Sequence, residues 1–339
     1  MANNREKIEA KCRICGQSGN FDLYKIKEMY YGSGDEFDYY KCSYCGCLQI
    51  KEFLSVDDLN KYYNSSYYSL SQDKLNYFNS SFKKFLVRKI VNYAIYKKGL
   101  FGRIFYYLSP QLNLTALRKI KINKNSSILD IGCGIGFDLA CLNEVGFKNL
   151  LGADKYLEKD ILYENGLKIL KTDLNGVEGE FDVVLAFDVL EHLDNQEEFI
   201  KEVYNKLNKN GVCILSIPMI PSYEWDKYQE NMFDLHVPFH FFIHTRKSLE
   251  ILLAKVGFRV DEEKNCCKQN PVCLAASESV VNGICFVKSG LDKYYLSDQG
   301  IVDLLWHRLF SLRKFKKIAN KINKDKTSAA AIFYLFKKK

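Results

Sequence analysis

Proline is scarce, with five in 339 residues, and no stretch rich in proline or serine interrupts the chain. A linker of the proline- or serine-rich kind is therefore excluded. There is no internal repeat, which excludes a solenoid. No apolar run approaches the roughly 18 residues a membrane-spanning helix needs. The first ten residues, Met1–Ala10, are polar and lack the apolar centre of a signal peptide. The simplest expected location is the cytoplasm. Charge of one sign is not in large excess: the net charge is +8, with 47% hydrophobic and 27% charged residues. Such a composition excludes bulk disorder. The mild positive balance would help an acidic ligand approach, without by itself indicating nucleic acid.

Cysteine, in contrast, is plentiful, with twelve residues. Four form two pairs, Cys12-x-x-Cys15-Gly16 and Cys42-x-x-Cys45-Gly46, with 26 residues between them. Others, such as Cys213 and Cys273, sit in apolar segments. This pattern suits a reducing compartment with metal-held thiolates better than a secreted disulfide framework. A C-x-x-C turn aims two sulfurs at one point, and the following glycine lets the backbone fold back toward them. Two such turns make a closed tetrahedral shell for a structural Zn2+, with Zn–S near 2.3 Å. Cys47 is an alternative to Cys45 as fourth ligand, though symmetric spacing favours Cys45. A redox pair and unligated buried cysteines are the competing readings.

The chain divides into a cysteine-bearing module at 1–60, a helical segment at 61–121, and an α/β region from 122 to 339. That last region carries a basic helical insertion at about 292–326. Short apolar strands alternate with helical patterns, the mark of a parallel sheet. Strands are expected at Ser127–Ile131, Asn149–Ala153, Leu167–Leu170, Phe181–Phe187, Gly211–Ile217, from Gly257 and at Ala329–Phe336. Helices are expected at Phe137–Val145, Glu197–Leu207 and Ser248–Val256.

The first of these strands runs straight into Gly132-Cys133-Gly134-Ile135-Gly136. Glycine lets backbone approach a ligand closely and tolerates positive φ. The helix that follows offers free N–H groups and a positive dipole end. Asp154, 22 positions beyond Gly132, ends the second strand, where a carboxylate can accept from both ribose hydroxyls. Asp173, followed by Leu174, lies past the third strand, in place to accept from an adenine amino group. The turn reads G-x-G-x-G, so the last glycine of the dinucleotide fingerprint is missing and pyrophosphate binding loses ground.

Ile128-Leu129-Asp130-Ile131-Gly132-Cys133-Gly134-Ile135-Gly136 resembles motif I of class I S-adenosylmethionine-dependent methyltransferases. Phe181 to Leu193, with its Asp188-Val189-Leu190-Glu191-His192 core, resembles the acidic motif of the ubiquinone-biosynthesis-type subfamily. Lys209 to Pro218 resembles its fifth-strand motif. The resemblance implies a Rossmann-like, seven-stranded mixed sheet with the last strand antiparallel. It implies S-adenosylmethionine as cofactor, with Asp130, Gly132, Cys133, Gly134 and Gly136 at the methionine end. Asp154, Asp173 and Leu174 would hold ribose and adenine, and Phe187 and Asp188 would close the far side.

The paired cysteine turns, and the segment Leu59 to Asn64 with Tyr67-Tyr68, resemble sugar C-methyltransferases and relatives from surface-polysaccharide gene clusters. Those C-methyltransferases carry a further large α/β domain, whereas here 56 residues follow Gly283. The expectation is therefore methylation of an oxygen on a small polar acceptor, a sugar or a nucleotide-linked sugar. The alternatives are C-methylation of a keto-sugar, or a zinc-ribbon nucleic-acid binder with a degenerate core. The intact glycines and acids oppose degeneration, the basic residues lack the base-stacking pattern of RNA readers, and no N-P-P-Y type motif is present.

Transfer to a hydroxyl requires an aligned acceptor and removal of its proton. Histidine suits the second task. His240 opens an H-x-x-x-x-T-x-x-S-L segment after the fifth strand and ranks first as base. His192, just past the fourth strand, ranks second, and Tyr223 is the expected substrate contact. For each histidine a helix-capping or carbonyl-bonding role is an equal alternative. The loop Met219–Phe239, with Trp225, is either a lid or ordinary packing over the sheet edge. Two basic amphipathic stretches, Phe82–Leu108 and Ile301–Ile322, could rest on an anionic membrane surface. An ordinary solvated basic face is the favoured reading.

Overall fold

The computed structural model describes residues 5–62, 78, 80–108, 112–261, 266–267, 271–282, 313–325 and 329–338. The first four strands, β1 (Lys7–Lys11), β2 (Ser18–Lys27), β3 (Glu36–Lys41) and β4 (Leu48–Ile50), form an antiparallel meander. The two cysteine turns are its hairpin ends. Each closes in the same way: Cys12 N–H donates to Gln17 O at 2.9 Å and Cys42 N–H to Cys47 O at 3.0 Å. Past the meander come the short α1 (Val56–Asn60), capped by the Ser55 hydroxyl, then α2 (Ser81–Tyr96), α3 (Leu100–Leu108) and α4 (Leu112–Ala116). Helix α2 buries Leu86, Val87, Val91, Ala94 and Ile95, a helical-period stripe. Phe82, Phe85, Leu100, Phe101 and Ile104 are exposed beside the lysines of this segment, so its outer face is less polar than a solvated basic face.

The second sheet begins with β5 (Ile128–Ile131), which leads through the glycine bend into α5 (Phe137–Glu144). It continues with β6 (Leu150–Ala153), β7 (Ile161–Leu162), β8 (Lys168–Leu170) and β9 (Phe181–Phe187). Helix α6 (Gln196–Lys206) follows, then β10 (Leu207–Pro218), α7 (Tyr223–Tyr228), β11 (Phe242–Ile243), α8 (Arg246–Val256) and β12 (Phe258–Val260). The chain ends with β13 (Cys266–Cys267), α9 (Pro271–Val281), α10 (Arg313–Asp325) and β14 (Ala330–Lys337). The strand order is β7-β8-β6-β5-β9-β10-β14-β12, with β13 also paired to β14. Strands β8, β6, β5, β9 and β10 are parallel, and β14 runs antiparallel between β10 and β12.

This is the expected mixed methyltransferase sheet, with two additions. The two-residue β7 extends one edge, and β13 adds a second partner for β14; neither is long enough to show periodicity in the sequence. The chain leaves β5 toward β6 on one side and returns to β9 on the other. The crevice beyond their carboxyl ends is the topological switch point where ligands bind in open α/β sheets. The insertion expected at 292–326, and the helix expected at Ile301–Ile322, fall largely outside the described residues, apart from Arg313–Asp325. Among the described residues no helix is long and apolar enough to cross a membrane.

The two sheets share structure. Strand β11 pairs with β4, Phe242 against Gln49 and Ile243 against Leu48, so the meander takes its fifth strand from the α/β region. One continuous core joins Ile14, Phe21, Tyr39 and Leu48 with Leu215, Ile243 and Leu249.

Candidate active site

The glycine bend sits at the switch point. Gly132 and Gly136 have φ of +69° and +79°. A Cβ at Gly132 would lie 2.6 Å from Val189 Cγ2, and one at Gly136 would lie 2.4 Å from Ile169 Cδ1. Both positions thus need glycine for conformation and for space. Asp154 clamps the bend: Gly134 N–H donates to its Oδ2 at 2.8 Å, and Tyr156 N–H to its Oδ1 at 2.9 Å. The expected ribose acid is therefore also the group that holds the bend against the tip of β6.

Asp130 is buried, and burial, with Asp138 and Asp154 nearby, pushes its carboxyl well above the usual range. Burial likewise raises the Cys133 thiol, which makes it a lining group and no nucleophile. Asp173 is exposed and its Oδ1 accepts from the N–H groups of Asn175 (3.1 Å) and Gly176 (3.4 Å), while Leu174 is buried. Phe187, partly buried, ends β9. Asp188 follows in the left-handed region at φ +57°, which costs a non-glycine residue about 1–3 kcal/mol. It is held there by Ser216, whose hydroxyl donates to Asp188 Oδ1 at 2.7 Å and whose carbonyl accepts the Asp188 N–H at 2.9 Å. Nothing in the sequence signals that strained turn.

Residues 190–192 form a 3-10 turn just beyond. This turn and the segment 234–241 bring His192 and His240 together, with ring centroids 4.7 Å apart. Nδ1 of His192 donates to Phe239 O and Nδ1 of His240 to Asp234 O, each at 2.9 Å. A carbonyl can only accept, so both Nδ1 atoms carry the proton and both Nε2 atoms keep a lone pair. His240 Nε2 lies 4.0 Å from Glu191 Oε1, and the Glu191 side chain is 1% exposed. The sequence reading missed Glu191, although it adjoins His192 in the same motif. Burial lowers both histidines, His240 well below the ordinary value with His192 and His236 adding to the effect. The carbonyl-bonding alternative is thus realised for Nδ1 of each ring, while Nε2 of His240 faces the acid.

The remaining candidates separate from this pair. His244 uses both nitrogens, on Ser248 Oγ and Gln196 Oε1, each at 2.9 Å, and burial pulls it to about 3. It is a packing residue. His236 is partly buried beside Tyr30, Phe239 and His240, and desolvation of its ring lowers it to about 3. His307 lies outside the described residues. Tyr223 begins α7, partly buried against the core. Trp225 is 4% exposed and packs on Tyr24, with ring centroids 5.6 Å apart. The Met219–Phe239 loop is therefore packed between the sheets, and Trp225 is not placed to stack on a sugar.

The four cysteines converge as expected. The sulfurs of Cys12 and Cys45 are 3.6 Å apart, as are those of Cys15 and Cys42, and all four lie within 4.8 Å of one another. A tetrahedron with bonds of about 2.3 Å needs edges of about 3.8 Å. Backbone N–H groups of Cys15 and Cys45 point at Cys12 and Cys42 sulfurs at 3.5 Å, and Gln49 Nε2 donates to Cys12 Sγ at 3.0 Å. The S–H of Cys45 draws Cys12 down to about 4, while burial raises Cys15 and the bond to Cys12 raises Cys45. Cys47 is buried with its sulfur toward Leu48 O and stands outside the group.

The Cys45 knuckle touches the α/β region directly. Thr245, the N-cap of α8, donates from its hydroxyl to Cys45 O, and Lys247 Nζ donates to Tyr44 O. Tyr39 OH donates to His240 O at 2.8 Å, and Ile50 N–H to Phe241 O at 2.8 Å. The H-x-x-x-x-T-x-x-S-L segment is thus the seam between the two sheets.

The sequence is similar to a methyltransferase family and to curated enzymes of that kind. Residues 101–263 match the family model described as a methyltransferase domain. The ubiquinone biosynthesis O-methyltransferase of Rickettsia typhi is 34% identical over 30% of this chain and 46% of its own length. That of Rickettsia prowazekii is 35% identical over 35% and 52%, and the mitochondrial enzyme of Saccharomyces cerevisiae 28% identical over 38% and 47%. The chain spans about half the length of the curated relatives it matches. Among solved structures, an S-adenosylmethionine-dependent methyltransferase from Mesorhizobium loti aligns at TM-score 0.39 and 14% identity, over 67% of this chain and 99% of that one. Residues 101–263 carry a methyltransferase domain of the class I, S-adenosylmethionine-dependent kind.

Proposed function

We propose that this chain transfers the methyl group of S-adenosylmethionine to an oxygen of a small polar acceptor, with a sugar or nucleotide-linked sugar as the preferred class. The observation that carries the reading is the glycine bend at the switch point, clamped by Asp154 through Gly134 N–H. The printed activity of the curated relatives, O-methylation, supports the choice of oxygen. The saccharide preference rests on the resemblance of the paired cysteine turns to methyltransferases from polysaccharide clusters.

When bound, the sulfonium nucleoside supplies an already activated methyl group. The protein's part is placement. Gly132 and Gly134 let the backbone approach the amino-acid end, and Asp154 has carboxylate lone pairs left for the ribose hydroxyls. Asp173 and Leu174 border the adenine, and Phe187 and Asp188 the far side. Nε2 of His240, or of His192, is the atom that receives the acceptor's proton, since each Nδ1 is engaged by a carbonyl. Tyr223 contacts the acceptor. Cys12, Cys15, Cys42 and Cys45 hold Zn2+ in a closed shell that serves structure alone.

Calorimetry of the zinc-loaded chain with S-adenosylhomocysteine tests the reading. Micromolar association is expected, and Gly132→Ala should weaken it tenfold or more, because a Cβ there meets Val189 Cγ2 at 2.6 Å. A wild-type chain that binds neither S-adenosylhomocysteine nor S-adenosylmethionine overturns it. Product formation on a panel of nucleotide sugars then decides the acceptor class.

A further inference from the structure

We propose that Tyr163 is a positioning residue for the cofactor, holding the far half of the glycine bend in the shape that receives the amino-acid end of S-adenosylmethionine. The inference rests on the reading of residues 132–136 as the cofactor's cradle. It starts from a hydrogen bond that no motif announces: the Tyr163 hydroxyl meets Ile135 O at 2.6 Å, 28 positions earlier in the chain. A carbonyl only accepts, so the phenol is the donor. Burial pushes that phenol up to about 12, so it keeps its proton throughout the neutral range.

The bend needs outside support. Gly132, Gly134 and Gly136 all have positive φ, and glycine gives up more backbone freedom on ordering than any other residue. The ties can be followed one peptide unit at a time. In Cys133–Gly134, the N–H of Gly134 donates to Asp154 Oδ2 at 2.8 Å, and Cys133 O accepts from Gly136 N–H at 2.9 Å. In Ile135–Gly136, that same Gly136 N–H is the tie at one end and Tyr163 is the tie at the other. The unit between them, Gly134–Ile135, is set by its neighbours on both sides. Without the Tyr163 hydroxyl, the second unit keeps a tie only to the bend itself. Helix α5 does not replace it. Gly136 is the N-cap, and the helical ladder opens with Ala140 N–H on Gly136 O at 2.8 Å, one residue past Ile135.

The edge hairpin delivers the side chain. Strand β7 pairs antiparallel with β8, Ile161 against Ile169 and Leu162 against Lys168. Tyr163 N–H donates to Leu167 O at 3.0 Å, and Gly166 N–H closes the turn on Tyr163 O at 2.9 Å. Asn165 Oδ1 accepts from Leu167 N–H at 3.2 Å. The Tyr163 side chain is partly buried against the core that contains Ile135, Leu139 and Ile169. Ile169 is also the side chain whose Cδ1 would lie 2.4 Å from a Cβ on Gly136. The hairpin therefore meets the bend twice, through Ile169 at Gly136 and through Tyr163 at Ile135. Asp154 holds the near half from the tip of β6, and the hairpin holds the far half. A bend held in this way loses little freedom when ligand arrives, and that saving appears as affinity.

The test compares the full-length chain with Tyr163→Phe, which keeps the ring and removes the hydroxyl. Calorimetry is run with S-adenosylhomocysteine and with methylthioadenosine, which has a like thioether nucleoside but no amino-acid group. Tyr163→Phe should weaken S-adenosylhomocysteine about fivefold, the size of one lost hydrogen bond, and leave methylthioadenosine within about twofold. Hydrogen exchange at residues 133–136 should be faster in the ligand-free variant and match the wild type at saturating S-adenosylhomocysteine. Unchanged S-adenosylhomocysteine affinity, whatever the thermal midpoint, means that the bond serves stability alone and overturns the proposal. Equal losses for the two ligands overturn it as well. If Tyr163→Phe does not fold, the wild type decides: a Gly136 N–H that exchanges at the open-chain rate before ligand binds overturns the proposal, and a protected one supports it. A wild type that binds S-adenosylhomocysteine no better than Tyr163→Phe defeats the role of Tyr163 and spares the function. A wild type that binds neither S-adenosylhomocysteine nor S-adenosylmethionine defeats the function itself.

Discussion

Among the described residues, potential metal ligands converge in two places, and they are built differently. The four cysteines come from two hairpin ends with the same closing hydrogen bonds, and their sulfurs already stand 3.6 Å apart in two pairs. Glu191, His192 and His240 come from a 3-10 turn and a distant seam segment, with three ligands at wider spacing. The first is a local device, set by two hairpin ends of one small sheet. The second is an assembly of the whole fold, so its geometry depends on everything that holds the seam. The lesson is that the first can act on the second: Tyr39, on β3 beside the cysteine turns, bonds the carbonyl of His240.

That dependence can be broken in graded steps. The largest effect is expected from Cys42→Ser. Losing one of four sulfurs should remove the zinc proposed there and destabilise the chain by about 4 kcal/mol or more, read by elemental analysis and denaturant unfolding. If the meander folds independently of the seam, S-adenosylhomocysteine affinity will survive this change; if the seam depends on it, that affinity will fall with the zinc. Thr245→Ala comes next. It removes the N-cap of α8, a reciprocal capping box with Ser248, and the bond to Cys45 O. A loss of about 1–2 kcal/mol is expected in equilibrium unfolding, with zinc retained. The smallest effect belongs to Tyr39→Phe, which deletes one buried bond to His240 O and should cost about 1 kcal/mol. Its value lies in the activity readout: slower methyl transfer with unchanged S-adenosylhomocysteine affinity would show that the meander aligns His240.

Much of the α/β sheet could be read from sequence because its signals are local. Phe181–Phe187 is an apolar run stopped by a polar turn, and the expected bounds match β9. The glycine bend is legible for the same reason: three glycines within five residues have no better use than positive φ. The convergence of the four cysteines was legible in their spacing. What was hidden depends on distance in the chain. Glu191 belongs with His240 only once residues 191 and 240 are folded together. The tautomers of His192 and His240 depend on carbonyls of Phe239 and Asp234, which no side-chain pattern announces. The packed state of Trp225 requires Tyr24, about 200 positions earlier. The left-handed Asp188 is set by Ser216 across the sheet, and aspartate alone does not predict it.

Strand β11 has a consequence for how the chain could be cut or recombined. Its two residues cover the outer side of β4, whose Leu48, Gln49 and Ile50 are all fully enclosed. Excised at residue 60, the cysteine-bearing piece would carry a bare, apolar ribbon edge, a template for pairing with a neighbour. Such a fragment should self-associate even when loaded with zinc, and grafting it onto another enzyme would succeed only if the Phe242–Ile243 strip travelled with it.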